Sequence, residues 1–168
     1  MRSRFLPEGR LLHTPENEAA CASCDGLRRA MEEETVLEGV AQLCDGAHNL
    51  LVSVGPFTGF LPREEAALGI AEGTTREIAI LSRVGKPVCF QITALEESGG
   101  VLRPRLSRRR AQQAALDAML AGLHPGCILP AVVTHLESFG AFVDIGCGVP
   151  SLIGIENISV SRIPHPAQ

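Results

Sequence analysis

The sequence has no tryptophan, no tyrosine and a single lysine, Lys86, and only six of its 168 residues are phenylalanine. With so few aromatics, any surface that stacks rings must be built from a handful of positions. Formal net charge is −4, so the chain does not coat nucleic acid by bulk attraction, and phosphate contacts must come from a local basic patch. No apolar run approaches the roughly 20 residues of a membrane-spanning helix. The start, Met1 to Gly9, is basic but lacks the apolar centre of a secretory signal, so a cytoplasmic location is the expectation. A Gly-rich phosphate loop, a nucleophile elbow and a complete metal-ligand set are also missing, so no enzyme activity, metal or cofactor is expected.

The six cysteines are scattered, and in a cytoplasmic protein they are expected to be reduced. Cys21 and Cys24 form a CxxC. A structural zinc site needs about four ligands, and no second CxxC or HxxxH supplies the rest. A redox CxxC follows a strand in a βαβ unit, and that context is absent too. Ordinary helix cysteines are the expectation.

What is present is mostly strand-like. Residues 1–34 read as a short helical extension. Thr14-Pro15-Glu16 is a helix start, with a capping hydroxyl and proline in the first turn. Asp25-Gly26 breaks that helix, and Leu27 to Glu34 forms a second. Its arginines precede its glutamates, against the helix dipole, so it should be weak unless packed. From residue 35 short strands alternate with turns: 36–43, 49–54, 57–61, 76–81, 87–95 and 101–106. A small helix lies at 63–71, and Gly99-Gly100 makes a hairpin turn. This is the pattern of a five-stranded Greek-key barrel with one inserted helix, residues 35–107. Ser107 caps the clearest helix, a linker at 108–124 with Leu116, Met119, Leu120 and Leu123 as its apolar stripe. Further strands follow at 128–135, 139–146 and 151–155.

The stretch Phe139-Gly140-Ala141-Phe142-Val143-Asp144-Ile145-Gly146 stands out. Ala141, Val143 and Ile145 alternate onto one face and Phe142 and Asp144 onto the other. Gly140 lets a neighbouring strand approach. An internal repeat links this stretch to the barrel. Val52, Val54 and Gly55 fall on Val143, Ile145 and Gly146, and Gly59-Phe60-Leu61 falls on Ser151-Leu152-Ile153. Residues 125–168 hold material for three strands of a second barrel, so the chain is expected to be a fragment or a truncated copy of a longer protein.

These residues resemble the S-one domain, the OB-fold RNA-binding module named after the largest protein of the small ribosomal subunit. In the second copy the resemblance rests on Phe139 to Gly146 and Ser151-Leu152-Ile153. In the first it rests on Gly39-Val40, Gly59-Phe60-Leu61-Pro62-Arg63-Glu64-Glu65 and Leu106-Ser107-Arg108-Arg109. It covers about residues 35–160, and the order of a weaker then a stronger copy is similar to the amino-terminal part of bacterial ribosomal S-one homologues. The fold class it implies is mostly β: an OB-fold five-stranded barrel, a linker helix, then a partial second OB-fold. The partners it implies are single-stranded RNA or mRNA and proteins of the small ribosomal subunit, in translation. In that family the first domains dock by protein contacts and later ones hold mRNA. Departures are visible. His48 and Leu51 occupy the first copy's aromatic positions, and Gly154 stands where many members place a histidine.

The candidate RNA-binding residues are Phe139, Phe142 and His135, as stacking or edge contacts, and Arg103, Arg105, Arg108, Arg109 and Arg110, as a phosphate track. Arg83 and Lys86 could extend the rim. Each has a plainer alternative: the phenylalanines as core, His135 as an ordinary surface residue, and the arginines as a solvated helix start, where three cations oppose the dipole. Glu64, Glu65, Glu96 and Glu97 read as solvated rather than catalytic. The competing function is a protein-docking module with little RNA affinity.

Overall fold

A computed structural model describes residues 5–168. The basic residues at positions 1–4 lie outside it. Two helices open the described chain, α1 (Pro15–Cys21) and α2 (Cys24–Glu32). Thr14 caps α1 through its side chain, which accepts the Asn17 N–H, and Ser23 caps α2 by accepting the Gly26 N–H. The break between the helices is therefore Ala22-Ser23, and Asp25-Gly26 lies inside α2 rather than ending a helix. Gly26 is needed there, because a Cβ would press on the Ala20 carbonyl of α1. These helices are not peripheral. Cys21, Leu27 and Ala30 are buried in the main core, and this packing offsets the unfavourable charge order of α2.

Five strands close into a barrel: β1 (Leu37–Cys44), β2 (Leu50–Val54), β3 (Phe57–Leu61), β4 (Pro87–Ser98) and β5 (Val101–Ser107), in the order β1-β2-β3-β5-β4. β1 pairs antiparallel with both β2 and β4, and β3 meets β5 in parallel at Phe60 and Arg105. Gly99 and Gly100, both left-handed, turn the β4–β5 hairpin. The barrel is filled by Leu50, Val52, Leu61, Val88, Phe90, Ile92 and Leu106, all essentially inaccessible.

Two sequence expectations fail between β3 and β4. Residues 63–71 form only a 3-10 turn, Arg63–Glu65, because Gly69 and Gly73 take left-handed conformations that end any helix. Residues 76–81 are not a strand. They hold the short helix α3 (Ile78–Leu81), with Ile80 buried and Ile78 exposed. The barrel is already closed by β3–β5 and β1–β4, so no edge remains to pair this β-branched run.

Helix α4 (Arg108–Gly122) starts at the Ser107 cap. Its buried face is Arg108, Ala111, Gln112, Ala115 and Met119, while Leu120 and Leu123 are exposed. Of the expected stripe, Met119 is buried and Leu116 packs partly buried against the same cluster, whereas Leu120 and Leu123 face solvent. Strand β6 (Val132–Glu137) begins after Pro130, later than the expected position 128. With β7 (Gly140–Asp144) and β8 (Pro150–Gly154) it makes a three-stranded antiparallel sheet.

Candidate nucleic-acid interface

The β6–β8 sheet gathers three rings. β7 aligns Phe142 opposite His135 on β6 and opposite Leu152 on β8. The His135 and Phe142 ring centroids lie 6.1 Å apart. Phe139, at the β6–β7 turn, meets Phe142 edge-on at 6.2 Å. Phe139 is 53% exposed and Leu152 48% exposed, and Phe142 is partly open. His135 is solvent-facing, with Nε2 2.6 Å from Glu137 Oε1. All three ring residues proposed from the sequence therefore sit together on one accessible face. Gly140 lets β8 approach β7 closely, because a Cβ there would collide with the Ile153 carbonyl.

The arginine run is divided. Arg108 is buried and does not reach the surface, which corrects its assignment to a phosphate track. Its Nε and Nη2 donate to Glu8 at 2.6 and 3.0 Å, and its Nη1 donates to the Ala66 carbonyl. Arg109 lies between Glu65 and Glu72 at 3.5 and 3.9 Å. Arg105 pairs with Glu96 and lies 5.8 Å over the Phe60 ring. Arg103 and Arg110 are exposed, and neither forms an ion pair among the described residues. Of the possible rim residues, Lys86 is exposed while Arg83 binds Glu8 at 2.9 Å.

The residues that sequence reasoning passed over are Glu8, Glu38, Gln112 and Asp144. Glu8 takes Arg108, Arg83 and the Cys89 N–H on its carboxylate. Burial pushes its carboxyl pKa up, but Arg108 and Arg83 outweigh that and hold it below the usual range. Glu38 Oε2 accepts the N–H groups of Gly9, Leu11 and Leu12. Asp144 points inward and accepts the N–H groups of Glu8, Gly146 and Gly148. For both of these acids burial outweighs the hydrogen bonds and pushes the carboxyl upward. Gln112 accepts the Leu68 N–H and donates to the Gly148 carbonyl. The sequence signals were a glutamate before Gly9, a polar Gln112 on the small-residue face of a helix, and the place of Asp144 in the 139–146 stretch, where alternation pointed it outward.

Cys21 is buried, with its thiol pushed up to about 11 by burial, and Cys24 is exposed. Among the described residues no group of three or more His, Cys, Asp or Glu side chains could hold a metal ion. None of their helices is long and apolar enough to cross a membrane.

No protein-family model matches the chain. Individual relatives do. Small ribosomal subunit protein bS1 of Mycobacterium tuberculosis is 28% identical over 166 residues, 96% of this chain and 32% of that protein. The bS1 of Neisseria meningitidis is 26% identical over 84% of this chain and 24% of its own length. That of Leuconostoc lactis is 30% identical over 79% of this chain and 29% of its own. The chain carries an S-one type domain. It spans about a third or less of the length of these relatives. The solution structure of GSP13 from Bacillus subtilis is similar with a TM-score of 0.34 at 19% identity, covering 58% of this chain and 64% of that one.

With the S-one pattern laid on the structure, its aromatic positions differ between the two copies. In the barrel, His48 is turned into a left-handed conformation and lies 3.3 Å from Glu77, which also binds Arg63. Leu51 faces Phe60 across β2 and β3. The barrel thus presents Phe60 backed by Arg105 and His48 tied to Glu77, whereas the β6–β8 sheet groups His135, Phe139 and Phe142 in contact with one another.

Proposed function

We propose that the chain is an RNA-binding part of the translation apparatus, acting in the cytoplasm at the small ribosomal subunit and holding single-stranded RNA on the outer face of β6–β8. The single observation that carries this reading is the cluster of His135, Phe139 and Phe142 on one exposed face. Unpaired bases have two apolar π-faces, and stacking on such rings contributes about 1–3 kcal/mol per base. In this reading the residues from β6 onward are part of a second OB-fold of the same type as the barrel. Phosphate contacts come from Arg103 and Arg110, with Arg105 and Arg109 available only by leaving their glutamates. Kinship to the bS1 ribosomal proteins supports the translation role.

The test is fluorescence anisotropy with a labelled single-stranded oligoribonucleotide at low and moderate salt. Substituting alanine for both Phe139 and Phe142 should weaken binding by tenfold or more. An unchanged affinity sinks the stacking reading. The second reading is a protein-docking module with little RNA affinity. It is favoured by a specific observation: Arg105, Arg108 and Arg109 are all engaged by glutamates. It predicts no measurable RNA binding by the unmodified chain, together with retention of the chain by small ribosomal subunits.

A further inference from the structure

The β6–β8 sheet is joined to the rest of the protein in an unusual way. Its covalent link is the stretch 123–131, which is largely exposed. Its non-covalent seat is small. Cys147 and Val149, from the β7–β8 turn, pack on Cys89 of β4 and on Ala111, Ala115 and Met119 of α4. Gln112 of α4 adds a hydrogen bond to the Gly148 carbonyl, and further contacts are supplied by a strap, residues 5–14, that lies between the two bodies.

The strap is fastened at both ends of the joint. On the barrel side Glu38 collects three strap amides, those of Gly9, Leu11 and Leu12, and Asn17 locks the backbone of Glu38 through both its N–H and its carbonyl. On the other side the Cys147 N–H donates to the Leu6 carbonyl at 2.8 Å, and the Glu8 N–H donates to Asp144 Oδ2 at 2.7 Å. The Glu8 side chain lies between them, bound by Arg108 and Arg83. Pro7 is fully buried. A cleft of about 320 Å³, lined in part by Glu8, Arg83, Arg108, Thr134 and Asp144, brings solvent to the rim of this joint.

We propose that residues 5–14 are a clasp: they hold the β6–β8 sheet in one orientation on the barrel, and they open as a unit while the barrel stays folded. Two features separate the clasp from the barrel core. The barrel core is a cluster of seventeen buried residues, whereas the joint's buried cluster is six, Cys89, Ala111, Ala115, Met119, Cys147 and Val149, with partly open side chains around it and a charge network beside it. Contacts of this second kind open at lower cost than a hydrocarbon core, and local opening then precedes global unfolding. Opening would let the sheet swing on the 123–131 link, so the clasp sets where the aromatic face points relative to the barrel. This holds whatever ligand that face takes.

The buried cysteines report on it directly. Cys89 and Cys147 are inside the joint, Cys21 is inside the barrel core, and Cys24 and Cys127 are exposed controls. The experiment is thiol labelling of the full chain with a maleimide, read site by site by mass spectrometry. Each rate is divided by the rate of the same cysteine in the unfolded chain. In denaturant well below the unfolding midpoint, Cys89 and Cys147 should label at least about tenfold faster than Cys21. The Glu8→Gln variant should raise the Cys147 rate without raising that of Cys21. A common rate for the three buried thiols overturns the clasp, as does a Glu8→Gln chain whose Cys147 is as protected as before. If that variant does not fold, the denaturant series on the unmodified chain decides alone.

Discussion

The β1–β3 meander of the barrel and the β6–β8 sheet are the same design met in two settings. Ala41 sits opposite Val52 in one and Val133 opposite Val143 in the other, and in both the register slips just beyond that pair. Both third strands end in a 3-10 turn, Arg63–Glu65 and Ile155–Asn157. What differs is what lies against the inner face. Leu61 is 0% exposed beneath β4 and β5, while its counterpart Ile153 is 38% exposed. Ala41 is fully buried and Val133 is 57% exposed. The outer faces differ in the opposite sense, with rings concentrated on the β6–β8 sheet. The barrel has the core and the second sheet has the candidate interface. The same strand arrangement thus carries the buried core in one region and the exposed rings in the other.

The arginine run offers the largest way to break this comparison. Arg108 joins the two regions from inside, whereas Arg110, two positions on, points into solvent. Removing one partner of a buried pair leaves the other charge uncompensated, which costs about 3–5 kcal/mol. Arg108→Ala should therefore lower the thermal midpoint sharply, and Arg110→Ala should leave it within experimental scatter. Equal midpoints would mean that Glu8 is not held as described.

A second contrast uses the equivalent core positions. Leu61→Ala should cost about 2–5 kcal/mol, as expected for a buried leucine in a close-packed barrel. Ile153→Ala should cost under about 1 kcal/mol, because the position is already open to water. Chemical denaturation of the two variants measures both. A large effect at Ile153 would show that its face is covered in solution by something with the packing of a core.

The outer faces give the third contrast. Phe142→Ala should weaken single-stranded RNA binding by about 1–3 kcal/mol, read as anisotropy. Phe60→Ala should weaken it less, because Phe60 is a single ring already shared with Arg105. A larger loss at Phe60 would move the interface from the second sheet to the barrel.

How much of this was legible in sequence follows the range of the interactions involved. The β strands, the Gly99-Gly100 turn and the Ser107 cap rest on local alternation and turn chemistry, and they emerge close to where the residues indicate. The clustering of Phe139, Phe142 and His135 followed from the β6–β7 pairing. The α3 segment did not, because whether Ile78 and Ile80 extend or coil depends on whether a sheet edge is free. The role of Arg108 was also hidden. Its partner Glu8 is 100 residues away, and a cation at a helix start looks alike whether it faces water or a carboxylate. The same holds for Asp144, whose place in an alternating strand suggested an outward side chain. In fact the β7–β8 turn folds its backbone N–H groups around an inward one.

The smallest expected effect concerns acidity, and it separates the carboxylates that serve the joint. Glu8 has a lowered carboxyl in the folded chain. It therefore contributes stability above its ordinary value near 4.5, and that contribution is lost as pH falls through its lower folded value. Asp144 and Glu38 have raised carboxyls, so the sign is reversed: their contribution is complete below the ordinary values and is lost as pH rises through the folded ones. In the window just above those ordinary values, Asp144 and Glu38 should make stability decline with rising pH, set against a fading gain from Glu8 as its carboxyl finishes ionising in the unfolded chain. Unfolding midpoints measured across this window should show that decline in the unmodified chain and a shallower one in Asp144→Asn. A steeper slope in the variant would mean that the three amides around Asp144 outweigh its burial. The joint would then be held by an anion at that position rather than strained by one.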